Sequence, residues 1–206
     1  MRSGWPIVGW VAVAIAGMTA MILALAGTGE EGMRMVVRAT ARSSVLLFGL
    51  AFAASSLRRL LPSEATRWLL ANRRYLGVSF ATSHVAHLLA LLALADWSFA
   101  AFVAKADWTG LILGGFGYLF IAAMTATSFD RTAAWLGPRR WQRLHTAGGW
   151  YLWFIFFASF APRVGESLAY AVPTLWMLAV IAVRLRARRA RRPVVAAAAV
   201  RRGSGA

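Results

Sequence analysis

Residues 72–94, NRRYLGVSFATSHVAHLLALLAL, constrain this chain more than any other stretch. Two arginines open an apolar run, and about 20 residues of helix are enough to cross the hydrocarbon core of a bilayer. His84 and His87 lie inside the run at a spacing of i, i+3, which puts them on one helix face. The chain has three histidines, and the third, His145, stands near the start of another apolar stretch. Ionisable side chains at membrane depth are costly and usually serve a purpose there. Neutral imidazole is a good axial ligand for haem iron. A haem-carrying membrane protein that moves electrons is therefore the expectation.

Composition narrows the alternatives. The 206 residues are 60% hydrophobic with a mean hydropathy of +0.61, too oily for a soluble domain of this size. The net charge of +16 could suit nucleic acid, but the basic residues flank apolar segments as membrane topology signals do, so no nucleic-acid partner is expected. The absence of cysteine removes disulfides, iron–sulfur clusters, thiolate zinc sites and thiol redox chemistry together. All seven acidic residues, Glu30, Glu31, Glu64, Asp96, Asp107, Asp130 and Glu166, fall in predicted loops. Proton and cation pathways need carboxylates inside the bundle, which argues against an ion-coupled transporter.

Six spans are expected. The first, 5–26, is too long for a signal-peptide core of about 7–15 residues, although Ala24-Leu25-Ala26 resembles a cleavage site. After a mixed loop with Glu30, Glu31, Arg34, Arg38 and Arg42, the second covers 43–57 and is short enough that its helix should begin near Val36. The third is 72–94. The fourth, 109–127, holds Gly114, Gly115 and Gly117, which suit close helix packing or a flat cofactor. The fifth, 141–161, carries His145, Gly148, Gly149 and an aromatic run. The sixth, 168–183, has Pro173 near its start as a candidate kink. These define a first helix and outer loop (1–35), a transmembrane core (36–183) and a basic tail (184–206) suited to anionic lipid. Arginines crowd the loops after the second and fourth spans and the tail, so both termini should be cytoplasmic in a bacterial inner membrane.

A single histidine between membrane helices often serves only as a hydrogen-bonding residue. Three of three in two interior segments are harder to explain that way. A bare zinc or copper site would lack the carboxylate or cysteine that usually completes the donor set. Haem needs one or two axial nitrogens and an apolar slot.

The segment RRYLG at 73–77, followed ten residues after Gly77 by His87, and the segment TSFDRTAAWLGPRRWQRLH at 127–145 resemble the ferric-reductase-like transmembrane family. The likeness extends over 43–183. It implies an all-α, six-helix integral membrane bundle of b-type cytochrome kind, related to the membrane half of NADPH oxidases, that passes electrons across the inner membrane. It also implies that His87 and His145 are haem ligands. Two family positions differ: Ala158 and Arg73 stand where histidines occur in relatives. Only three ligands are then available, with His84 as the extra one. One haem b between His84 or His87 and His145 is favoured over two. In the two-haem alternative the outer haem uses His87 or His84, and the inner one uses His145 with Arg73, water or nothing opposite.

Arg73, Arg74, Arg139, Arg140 and Arg143 could meet haem propionates or an electron donor, or serve only as topology signals. Without a Gly-rich dinucleotide fingerprint the chain lacks its own nicotinamide and flavin module, so the donor should be quinol or a flavoprotein. The acceptor should be a periplasmic reductase subunit or a ferric chelate. The rival reading is a haem-free membrane scaffold or assembly factor.

Overall fold

The computed structural model describes residues 4–105 and 108–190, and every regular element among them is helical. The helices are α1 (Trp5–Ala26), α2 (Glu30–Leu60), α3 (Glu64–Ala71), α4 (Arg73–Leu94), α5 (Phe99–Lys105), α6 (Trp108–Ala126), α7 (Asp130–Leu136), α8 (Pro138–Phe160) and α9 (Ala171–Arg189), with two short 3-10 turns before α9. Five stretches are long and apolar enough to cross a membrane: α1, α2, α4, α6 and Leu168–Arg189. Helix α8 is as long, at 23 residues, but its first two turns hold Arg139, Arg140, Gln142 and Arg143. Several helices could therefore span a bilayer, and the expected sixth span rests on α8.

Local chemistry explains where these helices begin and end. Pro6 stands in the first turn of α1, and Gly27, at φ 80°, ends it in a conformation that other residues avoid. Glu30 and Glu31 occupy the first turn of α2 and Arg58 and Arg59 its last, each opposing the helix dipole there. Ser63 and Thr66 form a reciprocal capping box on α3. Gly137, at φ 77°, turns the chain so that Pro138 can open α8. Pro173 falls in the first turn of α9, where its missing N–H would have had no helical partner, so the expected kink is not required.

Three sequence expectations change. The mixed segment from Glu30 to Arg42 is helix rather than loop, so the proposed boundary at residue 35 falls inside α2. At 31 residues, α2 is about 46 Å long and exceeds a hydrocarbon core of about 30 Å, which lets its charged first turns project beyond it. Glu30, Glu31, Glu64 and Asp130 thus sit in first turns of helices, while Asp107 lies outside the described residues. The first residues of the expected basic tail, from Arg184 to Arg189, are the last turns of α9, and residues 191–206 lie outside the described residues.

Helix α2 is central. Its Val45, Phe48 and Ala53 meet Phe80 and Ala81 of α4, Ile121 of α6, Leu152, Phe156 and Phe160 of α8, and Met177 and Val180 of α9. Lipid tails are as apolar as these side chains, so helix association relies on close van der Waals packing and interhelical hydrogen bonds. Glycines provide the packing where a large ring stands opposite. A Cβ at Gly49 would overlap the Trp176 indole, whose Nε1 donates to the Val45 carbonyl at 3.1 Å. A Cβ at Gly148 would come within 2.9 Å of Phe120, and one at Gly149 within 2.8 Å of Phe52. Gly114 and Gly115, expected to allow close packing, face open space, and only Gly117 meets a neighbour, Leu152.

Helix α1 is peripheral, with Ile15 its one buried residue. It is pinned at its start, where Gly4 N–H donates to Asn72 Oδ1 at 2.9 Å and Trp5 sits between Tyr75 and Phe129, each 5.3 Å away between ring centroids.

Gly49→Ala should cost about 1–3 kcal/mol through overpacking against Trp176. Gly114→Ala should be neutral or stabilise by up to about 1 kcal/mol through helix propensity. Unfolding of the detergent-solubilised protein distinguishes them, and equal effects would contradict this packing.

Candidate functional site

The histidines occupy two separate places. His84 and His87 stack on one face of α4, with ring centroids 5.1 Å apart. His84 is walled by Phe80, Tyr118 and Phe156 at 5.6, 4.9 and 5.6 Å, and its Nδ1 is buried without a hydrogen-bond partner. His87 faces α2. Its Nδ1 lies 3.1 Å from the Val37 carbonyl oxygen and 3.2 Å from Thr40 Oγ1.

A carbonyl oxygen only accepts, so the neutral His87 ring carries its proton on Nδ1 and donates it there. Thr40 is fully buried, and its hydroxyl donates to the Val36 carbonyl at 2.7 Å, which leaves its lone pairs towards the same Nδ1–H. His87 Nε2 is thereby left as a bare lone pair, the arrangement in which histidine ligates metals. Val37 and Thr40 were not anticipated from the sequence, because they lie in a segment that looked like the edge of a loop.

His145 belongs to the other place. Its Nε2 lies 3.1 Å from Thr127 Oγ1 at the end of α6, and its ring stacks on Trp141 at 4.1 Å. Trp141 Nε1 donates to the Thr127 carbonyl at 3.0 Å, which ties the start of α8 to the end of α6. His145 lines a cavity of about 920 Å³, towards the upper end of the usual range of about 300–1,000 Å³ for ligand sites. Phe48, Phe80, Ile121 and Leu152 give the cavity apolar walls, and Pro138, Gln142, Thr146 and Arg188, all exposed, carry it to the surface.

The two places lie at different heights. Arg73 Cζ is 6.0 Å from the Trp141 ring, so the first turns of α4 and α8 are neighbours. His84 is eleven residues beyond Arg73 and His145 four beyond Trp141, an offset of about 10 Å at about 1.5 Å per residue. The contact of Phe156 with His84 higher up gives about 16 Å by the same rise. His87 lies a further turn away. The favoured sequence arrangement, one iron between His145 and His84 or His87, needs both nitrogens within bonding distance of one atom across that offset. Ala158 is exposed on α8.

The arginines are also redistributed. Arg73 and Arg74 line the cavity as expected, but Arg139, Arg140 and Arg143 are exposed and do not. Arg59, Arg184 and Arg188 line it instead. Helical spacing could have shown this for α9, since Arg184 falls seven residues after Met177 and four after Val180, both buried. Arg74 reaches out of the bundle to Asp130, with Nη1 2.5 Å from Oδ1, and lies over the rings of Trp5 and Tyr75. Among the described residues, no three His, Cys, Asp or Glu side chains converge as a metal-ion site, so a bare ion has no donor set here.

No protein-family model matches this chain, and neither the curated proteins nor the solved structures contain a match.

The Arg74 guanidinium, by its hydrogen bond and then its charge, holds the Asp130 carboxyl below the ordinary aspartate range. A depressed carboxyl pKa contributes stability above the unfolded value of about 3.9 and loses it as pH falls through the folded one. An NMR titration of Asp130 should give a midpoint below about 3.9 that rises in Arg74→Gln, and no change in that variant would contradict the ion pair.

Proposed function

We propose that this chain is a membrane b-type cytochrome that carries electrons between the two faces of a bacterial inner membrane, as its resemblance to the ferric-reductase-like family implies. The observation that carries the reading is the cavity at the arginine-rich end, which joins the His145 imidazole, apolar walls and Arg73 in one space.

These residues fit haem. His145 would offer Nδ1 to iron, because Nε2 faces the Thr127 hydroxyl, which itself donates to the Ala123 carbonyl. Phe48, Phe80, Ile121 and Leu152 suit a porphyrin face, and Arg73 at the mouth suits a propionate, Arg74 being paired with Asp130. Higher in the bundle His87, oriented by Val37 and Thr40, is the ligand at a second position, with His84 beside it. Haem, when bound, supplies the one-electron carrier. The chain supplies the ligands, the low-dielectric surroundings and the positioning that set its potential. The axial offset between the histidines favours two positions over the single shared haem b expected from the sequence.

In this reading α8 crosses the bilayer as the sixth span, which puts both termini on the cytoplasmic side. Electrons enter at the cavity mouth from quinol or a flavoprotein, and leave from the His87 end to a periplasmic reductase subunit or a ferric chelate.

Reduced-minus-oxidised spectra of the purified protein test this. Two b-type haems per polypeptide are expected by pyridine haemochrome, with His145→Ala and His87→Ala each removing one. Thr40→Val should keep both haems and raise the potential of one, because His87 loses a hydrogen-bond acceptor and becomes a weaker donor to iron. A colourless protein after expression with ample haem would overturn the proposal and leave the haem-free scaffold.

A further inference from the structure

Arg184 does more than mark topology. Arginines that serve only as topology signals extend to the headgroups, where water and phosphate satisfy them. The Arg184 guanidinium instead lies 3.7 Å over the Phe52 ring, donates to the Phe52 carbonyl, and keeps a buried Nε with no partner. Arg188, one turn further along α9, lies 4.9 Å over the Trp150 ring, which Arg184 also approaches at 5.3 Å. From α2, Arg59 donates to the Ala187 carbonyl at 3.2 Å and so closes the α2–α9 seam beside them.

Three guanidinium groups on two helices thus share one wall of the cavity with the hydroxyl-bearing Ser55 and Ser56. The cavity lining includes no aspartate or glutamate among the described residues. Among the described residues, none of Arg59, Arg184 and Arg188 has a carboxylate partner; the ion pairs are Arg34–Glu30, Arg67–Glu64 and Arg74–Asp130. Arg59 and Arg188 are exposed and Arg184 is half-buried, and like charges one helical turn apart repel, which an anion between them would relieve. An anion is the missing component. Planar guanidinium forks and hydroxyl donors match the oxygens of a phosphate.

We infer that Arg59, Arg184 and Arg188 hold the phosphate of an anionic phospholipid at the arginine-rich end of the bundle. The site lies where α2 and α9 reach their basic ends, at headgroup level, and Ala51, Phe52 and Gly149 continue the wall inward as an apolar surface for an acyl chain. Basic pockets between membrane helices recognise headgroups of this kind. The site is on the α2–α9 wall, not the α6–α8 wall that carries His145, and does not depend on haem binding.

The purified full chain would be reconstituted into nanodiscs of dioleoylphosphatidylcholine with a minor share of dioleoylphosphatidylglycerol, and the lipid it retains on re-extraction would be quantified by mass spectrometry. Wild type should retain phosphatidylglycerol in excess of its share in the disc by on the order of tenfold. The double variant Arg184→Gln/Arg188→Gln should lose that excess. Arg139→Gln/Arg140→Gln, with the same change in charge on exposed positions, should keep it. Retention by wild type in the disc proportion, or equal loss in both variants, would overturn the inference without relying on the α9 variant folding. Release of the lipid by millimolar inorganic phosphate would assign the corner to a soluble phosphate, and release by stoichiometric haemin would assign it to porphyrin carboxylates. Either result overturns the lipid assignment.

Discussion

The hydroxyl seam between α2 and α4 is the interaction on which the rest of this structure depends. Ser83 of α4 stands within 2.8 Å of Ser43 Oγ and 3.0 Å of Ser44 Oγ and donates to the Thr40 carbonyl at 3.3 Å. Thr40, Ser44 and Ser83 are fully buried. In water a core of Phe48, Phe80 and Phe156 would drive the helices together by excluding solvent. Against lipid that drive is absent, and what remains is close contact and hydrogen bonds of about 0.6 kcal/mol each. Small residues serve both, because a serine lets two backbones approach and also bonds across the gap. The large rings then fill the spaces that the small residues leave, with Gly49 under Trp176 and Gly149 under Phe52.

The same seam fixes the chemistry. Thr40 bonds back to its own helix and at the same time faces His87, so the contact that aligns α2 with α4 also orients the imidazole and selects its tautomer. His145 is set by a different contact, the tie between Trp141 and Thr127 that joins α6 to α8. Two helix pairs, two histidine environments and a fixed rise per residue produce the vertical separation. No tilt of a single helix is needed to explain it.

Much of this was legible in the sequence, and the failures have a common cause. The apolar runs defined α1, α4 and α6 nearly to the residue, because length and hydropathy are local properties. Polarity places the start of α2 near Val36, whereas the helix begins at Glu30, with Glu30, Glu31, Arg34, Arg38 and Arg42 exposed along it. Yet acidic residues followed by basic ones are what a helix start prefers, and Glu30 pairs with Arg34 one turn on. The glycines of α6 drew attention by their number. A glycine matters only where something large stands opposite, and the partners of Gly49, Gly148 and Gly149 come from other helices. The cavity around His145 could not be read at all, since its walls come from α2, α4, α6, α8 and α9 together.

Arg184 shows how a charge can occupy a core-facing position without a carboxylate. Its guanidinium is flat, so one face can rest on Phe52 while its edge donates to that residue's carbonyl, and neither contact neutralises it. Replacing it with an apolar residue would simplify the packing of α9 against α2, and replacing it with lysine would lose the stacked fork. An arginine retained there keeps an uncompensated positive charge facing a cavity, next to Arg188 and near Arg59. The ring contacts and the carbonyl hydrogen bond both draw on the charge, but neither brings a counter-charge to it. That charge remains available to an entering anion, which is what would make this wall a binding surface as well as a seam between helices.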